Sequence, residues 1–329
     1  MTNNVLLEVK NVRKYYPLER TLPFTPMRYV KAVDGVSFTL RQGETLGIVG
    51  ESGCGKSTLG QVILQLQKAT EGEIVFNGTN VCNVSREVLR RMRTEFQIIF
   101  QDPYSSINPR KNIETIVTEP AIIHGLIKPS EKKKLAVSLL EKVGLGPHHL
   151  RRLPHEFSGG QRQRIGIARA LSLNPKLIVC DEPVSALDVS IQAQILNLLK
   201  SLQEESGVSY IFIAHGLPAV QHMSDNIAVM YLGKIVEFSS REALFEKPLH
   251  PYTDALLSAV PNPDPFKPKE RIILKGDVPS PVNPPRACSF HTRCIYARDI
   301  CSRDKPEYRE VLPGHFCACH FPLHLNKEK

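Results

Sequence analysis

No stretch of this 329-residue chain reaches the roughly 18 consecutive apolar residues that a transmembrane helix needs, so any membrane role must be borrowed from a partner. The opening MTNNVLLEVKNVRKYYPLER alternates apolar with charged residues. It lacks the uninterrupted apolar run of a secretory signal, which points to a cytoplasmic protein. There is no internal repeat and no low-complexity tract. Nor is there a dense basic arm: Lys132-Lys133-Lys134 and Arg90-Arg91 are short and read as solvated faces. The 42% hydrophobic and 23% charged content exclude disordered, collagen-like and coiled-coil classes.

What is present is a net charge of +9, from 42 Lys+Arg against 33 Asp+Glu, which favours anionic partners such as nucleotides, nucleic acid or anionic lipid headgroups. The length allows two domains. Of eight cysteines, Cys288, Cys294, Cys301, Cys317 and Cys319 cluster at the end of the chain, whereas Cys54, Cys82 and Cys180 are scattered and read as small buried hydrophobes. In a reducing compartment clustered thiols suit metal ligation better than disulfides. From about His250 to Arg286 the chain is proline-rich, which excludes a helix and reads as an extended connector. It separates a large α/β domain from a small cysteine-held appendage.

Within the large domain, Val5–Val9 and Val33–Leu40 alternate apolar with polar residues, as half-exposed antiparallel strands do. Thr45–Val49 is a continuous apolar run, typical of a buried strand. Helical spacing is predicted for Ser57–Gln67, Pro129–Val143, Arg162–Leu173 and Ile191–Glu205. Glu73–Phe76 with Asn77-Gly78 reads as strand and turn. Leu177–Cys180, Tyr210–Ala214 and Ile227–Tyr231 read as further strands. Strands alternating with helices imply a mostly parallel sheet covered on both faces.

Gly50-Glu51-Ser52-Gly53-Cys54-Gly55-Lys56-Ser57 fits G-x-x-x-x-G-K-[ST] directly after a strand and opening a helix, where a phosphate loop must sit. Its glycines let backbone N–H groups converge on phosphates, and the helix N-terminus adds partial positive charge. Lys56 is expected to reach the β- and γ-phosphates and the Ser57 hydroxyl to ligate Mg²⁺, with Thr58 completing the nucleotide-binding run. Leu177-Ile178-Val179-Cys180-Asp181-Glu182 is an apolar strand ending in two carboxylates. Asp181 would stand beside Mg²⁺, and Glu182 would orient or deprotonate the attacking water.

Phe157-Ser158-Gly159-Gly160-Gln161 precedes the helix at Arg162. With both phosphate motifs in this order, the chain resembles the ATP-binding cassette family, whose signature LSGGQ stands here as FSGGQ. The resemblance implies an α/β fold, a P-loop NTPase cassette with a mixed sheet core, an antiparallel β subdomain and an α-helical subdomain. It implies that Ser158, Gly159, Gly160 and Gln161 close over the γ-phosphate held by a second cassette. Gln101 matches the loop glutamine that contacts Mg²⁺ and senses the membrane subunit, and Ser185-Ala186-Leu187-Asp188 the loop that crosses between cassettes. His215 matches the switch histidine on the γ-phosphate, although Gly216 stands where the family usually has Asp. Tyr16, or failing that Tyr15, would stack on adenine.

His250-Pro251-Tyr252-Thr253-Asp254-Ala255-Leu256-Leu257 resembles the HPYT-x-x-LL segment that follows the cassette in ATP-binding subunits of oligopeptide, dipeptide and nickel importers. The cysteine tail resembles theirs. The resemblance implies a [4Fe–4S] cluster on Cys288, Cys294, Cys301 and Cys319, with zinc as the alternative and Cys317 as the alternative fourth ligand. The expected division is a cassette over 1–249, with its helical subdomain at about 95–172, and an importer-type extension over 250–329. The leading reading is the ATPase of a di- or oligopeptide importer, or alternatively of a nickel or other solute importer, at the cytoplasmic face of the inner membrane. It would work with a second, identical or related cassette, two permease subunits and an extracytoplasmic peptide-binding protein, without nucleic acid. QDPYSSINP at Gln101–Pro109 would be the permease-docking loop. The rival is a soluble cassette ATPase acting on ribosomes or nucleic acid, which usually carries two cassettes in tandem where this chain has one phosphate loop.

Overall fold

A computed structural model describes residues 4–18, 27–260 and 271–325, without the side chains of Pro103 and Ser105. The chain divides into two compact units, each drawn from separated stretches. One comprises Met1–Leu6, Arg41–Thr45 and Asn83–Ala214, the other Leu7–Leu40, Leu46–Cys82 and His215–Lys329.

In the first unit, Phe96–Ile99, Leu177–Asp181 and Ser209–Ile213 form parallel neighbours, with Ile98 opposite Val179 and Val179 opposite Ile211. The last two strands are buried at every residue, which explains why they read as continuous apolar runs rather than alternating ones. Helix Val189–Ser206 buries Ile195, Leu199 and Leu202 and stops at left-handed Gly207, φ 68°, a frequent helix terminator. Ile113–Ile123, Lys132–Lys142 and Gly159–Leu171 supply the helical part. The helix expected from Arg162 starts three residues earlier because Ser158 caps it. Its Oγ accepts the Gln161 N–H at 3.3 Å while the Gln161 side chain accepts the Ser158 N–H at 3.1 Å, a capping box that carries both glycines into the first turn.

In the second unit, Val5–Pro17, Tyr29–Arg41, Glu71–Phe76 and Thr79–Asn80 build an antiparallel sheet, as the alternation implied, with longer strands. Thr45–Val49 runs parallel to Asn226–Tyr231, with Ile48 opposite Ala228. Asn226–Tyr231 continues antiparallel into Lys234–Ser240, His315–Cys317 and Arg309–Leu312. Cysteine-tail residues therefore extend the same sheet that borders the phosphate loop's own strand. The helix after that loop is Lys56–Ile63, shorter than expected because Gln65 turns left-handed at φ 52°.

The connector reading needs correction at its start. Pro251–Ser258 is a helix whose first residue is the proline and whose cap is His250, with Nδ1 accepting the Tyr252 N–H at 3.0 Å. Proline excludes helix interiors but suits the first helical position, where its missing N–H has no partner to lose. Residues 261–270, including Pro261, Pro263, Pro265 and Pro268, lie outside the described residues. Beyond them, 271–286 forms no helix or strand, as an extended connector should.

One fully buried carboxylate ties this region together. Glu237 accepts the N–H groups of Leu249 at 2.6 Å and His250 at 2.9 Å, and meets His315 Nε2 at 2.7 Å. It thereby pins the start of helix Pro251–Ser258 and the strand of the tail to one point. Glu237→Leu leaves three buried donors without an acceptor, and a loss of roughly 3 kcal/mol or more is expected. Urea unfolding measures it; an unchanged midpoint would show that Glu237 does not anchor the tail.

Candidate functional site

The phosphate loop is fixed by its backbone. Gly55 caps helix Lys56–Ile63 at φ 106°, and a Cβ there would lie 1.9 Å from the Ala32 carbonyl oxygen. Only glycine satisfies both the left-handed backbone and the close approach. Lys56 is 4% exposed, and its ammonium donates to the carbonyls of Gly50 at 2.7 Å and Glu51 at 3.0 Å. The cation rests on the loop it serves. Burial pushes the Cys54 thiol above its ordinary pKa, so it stays neutral. Ser57 and Thr58 open the helix.

Glu51 is held from three sides. Its carbonyl takes the lysine, its N–H donates to Tyr252 Oη at 2.8 Å, and its carboxylate receives both Arg293 Nη atoms, at 2.7 and 3.1 Å. Tyr252 and Arg293 escaped the sequence reading as functional residues. The available signals were the tyrosine inside HPYT and the arginine immediately before Cys294, but neither marks a partner. Of the two adenine-stacking candidates, Tyr15 hydrogen-bonds Asp34 at 2.5 Å, and burial with that contact pushes its hydroxyl up to about 12. Tyr16 bonds Gln67, with the Lys14 ammonium 4.9 Å from its ring centre.

The other motifs lie in the first unit. Asp181 and Glu182 end the buried strand and are 7% and 5% exposed. Glu182 occupies a left-handed conformation at φ 49°, which costs a non-glycine residue roughly 1 kcal/mol or more. Its N–H is fixed on Ile213 O at 2.9 Å. Gln101 Nε2 donates to Glu182 Oε2 at 2.8 Å, so the structure brings together two residues 81 positions apart in the chain. Gly160 packs so closely on helix Val189–Ser206 that a Cβ would meet Ile191 at 2.5 Å. Asp188 caps that helix in an exposed position, followed by Val189 at 82% exposure. In the loop over residues 101–109, expected from the sequence to dock a permease, Tyr104 is 66% exposed, and the Arg162 guanidinium lies 3.7 Å over its ring. His215 is assigned to the second unit, exposed, between strand Ser209–Ile213 and helix Leu217–Met223.

Cys288, Cys294, Cys301 and Cys319 line one small pocket together with His250, Phe290 and His320. Cys317 is not among its lining residues; it is fully buried on strand His315–Cys317. All eight cysteines are free thiols. Burial pushes Cys288 and Cys294 up and Cys319 up to about 12. Among the described residues no three His, Cys, Asp or Glu side chains converge as ligands of a single metal ion.

Comparison with known proteins finds the ABC transporter family over residues 33–185 and the oligopeptide/dipeptide transporter C-terminal region over 236–301. The chain is 54% identical to the oligopeptide transport ATP-binding protein AppF of Bacillus subtilis, over 96% of this chain and 97% of that one. It is 48% identical to the dipeptide transport ATP-binding protein DppF of Haemophilus influenzae, over 97% and 99%. Among solved structures, the ATP-binding cassette MJ0796 in a dimeric post-hydrolysis state with ADP and Pi superposes with a TM-score of 0.63 at 29% identity. That match covers 72% of this chain and 99% of the other.

Lys56→Ala is expected to abolish ATP hydrolysis. Glu182→Gln, which keeps the bond to Gln101 but removes the charge, is expected to abolish hydrolysis while retaining bound ATP in a closed dimer. Phosphate release and size-exclusion chromatography with ATP measure these outcomes, and normal turnover by either variant would overturn the assignment.

Proposed function

The chain belongs to the ABC transporter family, and on that premise we propose that it is the ATP-hydrolysing subunit of an importer for di- or oligopeptides, bound to the cytoplasmic face of the membrane through permease subunits. The observation that carries this reading is the end-to-end likeness to oligopeptide and dipeptide transport ATP-binding proteins, which includes the tail as well as the cassette. No helix among the described residues is long and apolar enough to cross a membrane; in this reading the permease subunits supply the pathway for the peptide.

In this reading Gly50–Thr58 cradles the triphosphate, Lys56 neutralises its β- and γ-oxygens, and Glu182 orients the attacking water, with His215 on the γ-phosphate. Ser57 and Asp181 offer hard oxygen donors suited to Mg²⁺, and Gln101 completes that set. Tyr16 is the proposed adenine platform with Tyr15 as the alternative, each held by its hydroxyl, on Gln67 and Asp34 respectively. Ser158–Gln161 and Asp188 face a second, identical or related cassette, a role supported by the largely exposed Val189 beside Asp188. An apolar side chain so exposed suits a protein contact. Exposed Tyr104 suits the docking of a permease helix.

Cys288, Cys294, Cys301 and Cys319 are proposed to hold a [4Fe–4S] cluster, to which they would supply four thiolate ligands. The single pocket they share supports it. Zinc is the alternative occupant, since four thiolates also suit a single tetrahedral metal ion. The four residues would staple the tail, which is too small to fold on a core of its own.

Co-purification from gently solubilised membranes of the host tests the main reading. Recovery of multispanning proteins with a second cassette supports an importer; recovery of ribosomal proteins or nucleic acid without membrane proteins overturns it. For the tail, Cys319→Ser is expected to lose iron and visible absorbance while Cys317→Ser keeps both. The reverse outcome would exchange the fourth ligand.

A further inference from the structure

The phosphate loop of the second unit is gripped by residues of its own tail. Arg293 lies between the pocket cysteines Cys288 and Cys301 in sequence and directly before Cys294, and its side chain is 8% exposed. Both of its Nη atoms reach the Glu51 carboxylate, at 2.7 and 3.1 Å, the fork geometry in which an arginine fixes direction as well as distance. Its backbone N–H is fixed on Phe290 O at 3.0 Å. Phe290 is 1% exposed and packs against Tyr231 and Tyr252, with ring centres 5.4 Å apart in each case. Tyr252 in turn takes the Glu51 N–H. Side chain and backbone of one loop residue are thus tied to an aromatic cluster of which Phe290 lines the cysteine pocket.

Glu51 also carries one of the two carbonyls on which the Lys56 ammonium rests. The ammonium has three N–H donors and rests two of them on these carbonyls, so the placing of Glu51 sets how the cation is aimed at an incoming phosphate and enters the free energy of ATP binding. The Arg293 charge also compensates a carboxylate that would otherwise stand in the loop that must receive a polyanion.

We propose that Arg293 is a positioning residue of the phosphate loop, and that through it the anchoring of the cysteine loop sets the affinity for ATP. The coupling rests on the ATPase reading and is confined to the binding step. In that reading Arg293 is given no part in the hydrolytic step.

The test is a set of ATP dissociation constants measured calorimetrically on the full chain in the Glu182→Gln background, where hydrolysis does not interfere. If this parent binds no ATP, the functional reading itself fails. Given binding, Arg293→Ala is expected to weaken it about tenfold, Arg293→Lys to recover part of the loss, and Glu51→Gln to add little on top of Arg293→Ala. Tyr252→Phe, which keeps the ring and removes only the hydroxyl, is expected to weaken binding in an otherwise intact chain. Cys294→Ser is expected to weaken binding when Arg293 is present and to have no further effect in Arg293→Ala. In the assembled transporter with Glu182 restored, Arg293→Ala is expected to raise KM for ATP about tenfold with kcat within about twofold. Unchanged ATP affinity in Arg293→Ala, whether or not its melting temperature falls, would reduce Arg293 to a fastener of the tail and overturn the proposal. So would equal losses from Cys294→Ser with and without the arginine.

Discussion

A lysine ammonium buried to 4% exposure must be paired or hydrogen-bonded, since an isolated charge removed from water costs far more than a domain's net stability. Here the acceptors are main-chain carbonyls of the loop itself, Gly50 and Glu51. That choice constrains nearly everything around it. The loop must curl tightly enough to present both oxygens, which demands Gly55 with its positive φ against Ala32. Strand Thr45–Val49 must deliver the loop at one height, and it does so as a fully buried strand in register with Asn226–Tyr231. Because carbonyls hold the cation through dipoles rather than a carboxylate, the resting state is satisfied without being so deep that phosphate cannot compete.

The tail is organised by the same logic of compensating buried charge. Glu237 would be prohibitive on its own, and three donors from the helix start and the tail strand make it tolerable. Arg293 and Glu51 neutralise one another at the edge of the loop. Both pairs join residues far apart in sequence, so the tail is stitched to the second unit at its sheet, at its helix and at the phosphate loop. A cysteine pocket built onto such a frame inherits the frame's rigidity.

These stitches are what the sequence could not disclose. The phosphate loop, the Asp181-Glu182 strand end and FSGGQ are legible because their chemistry depends on short, contiguous spacing, and the strands around them are continuous apolar runs. Strand Lys234–Ser240 and the tail strands were missed because Glu237, buried at the centre of the first, looks like a solvent residue until its partners are known. The prolines after His250 masked a helix because a proline count carries no positional information, whereas Pro251 at the first helical position is favourable. The start of the signature helix was misplaced for a related reason: two glycines discourage a helix, and only the reciprocal Ser158–Gln161 cap reveals that they lie inside one.

That cap also bears on how one stretch can serve both stability and ligand binding. Ser158 Oγ accepts the Gln161 N–H but keeps its own O–H proton to donate. The N–H groups of Gly159 and Gly160 lie in the first turn, where a helix provides no acceptors of its own. Gly160 cannot carry a side chain because Ile191 fills the space behind it, so its backbone is necessarily bare on the outer side. The box therefore fixes the helix end with one donor while holding the hydroxyl and the two glycine amides in an array suited to an anion. An equally stable helix capped by aspartate would place a negative charge where the proposed function has a phosphate approach. Serine followed by two glycines meets the capping and the packing requirement while leaving the N-terminal charge positive.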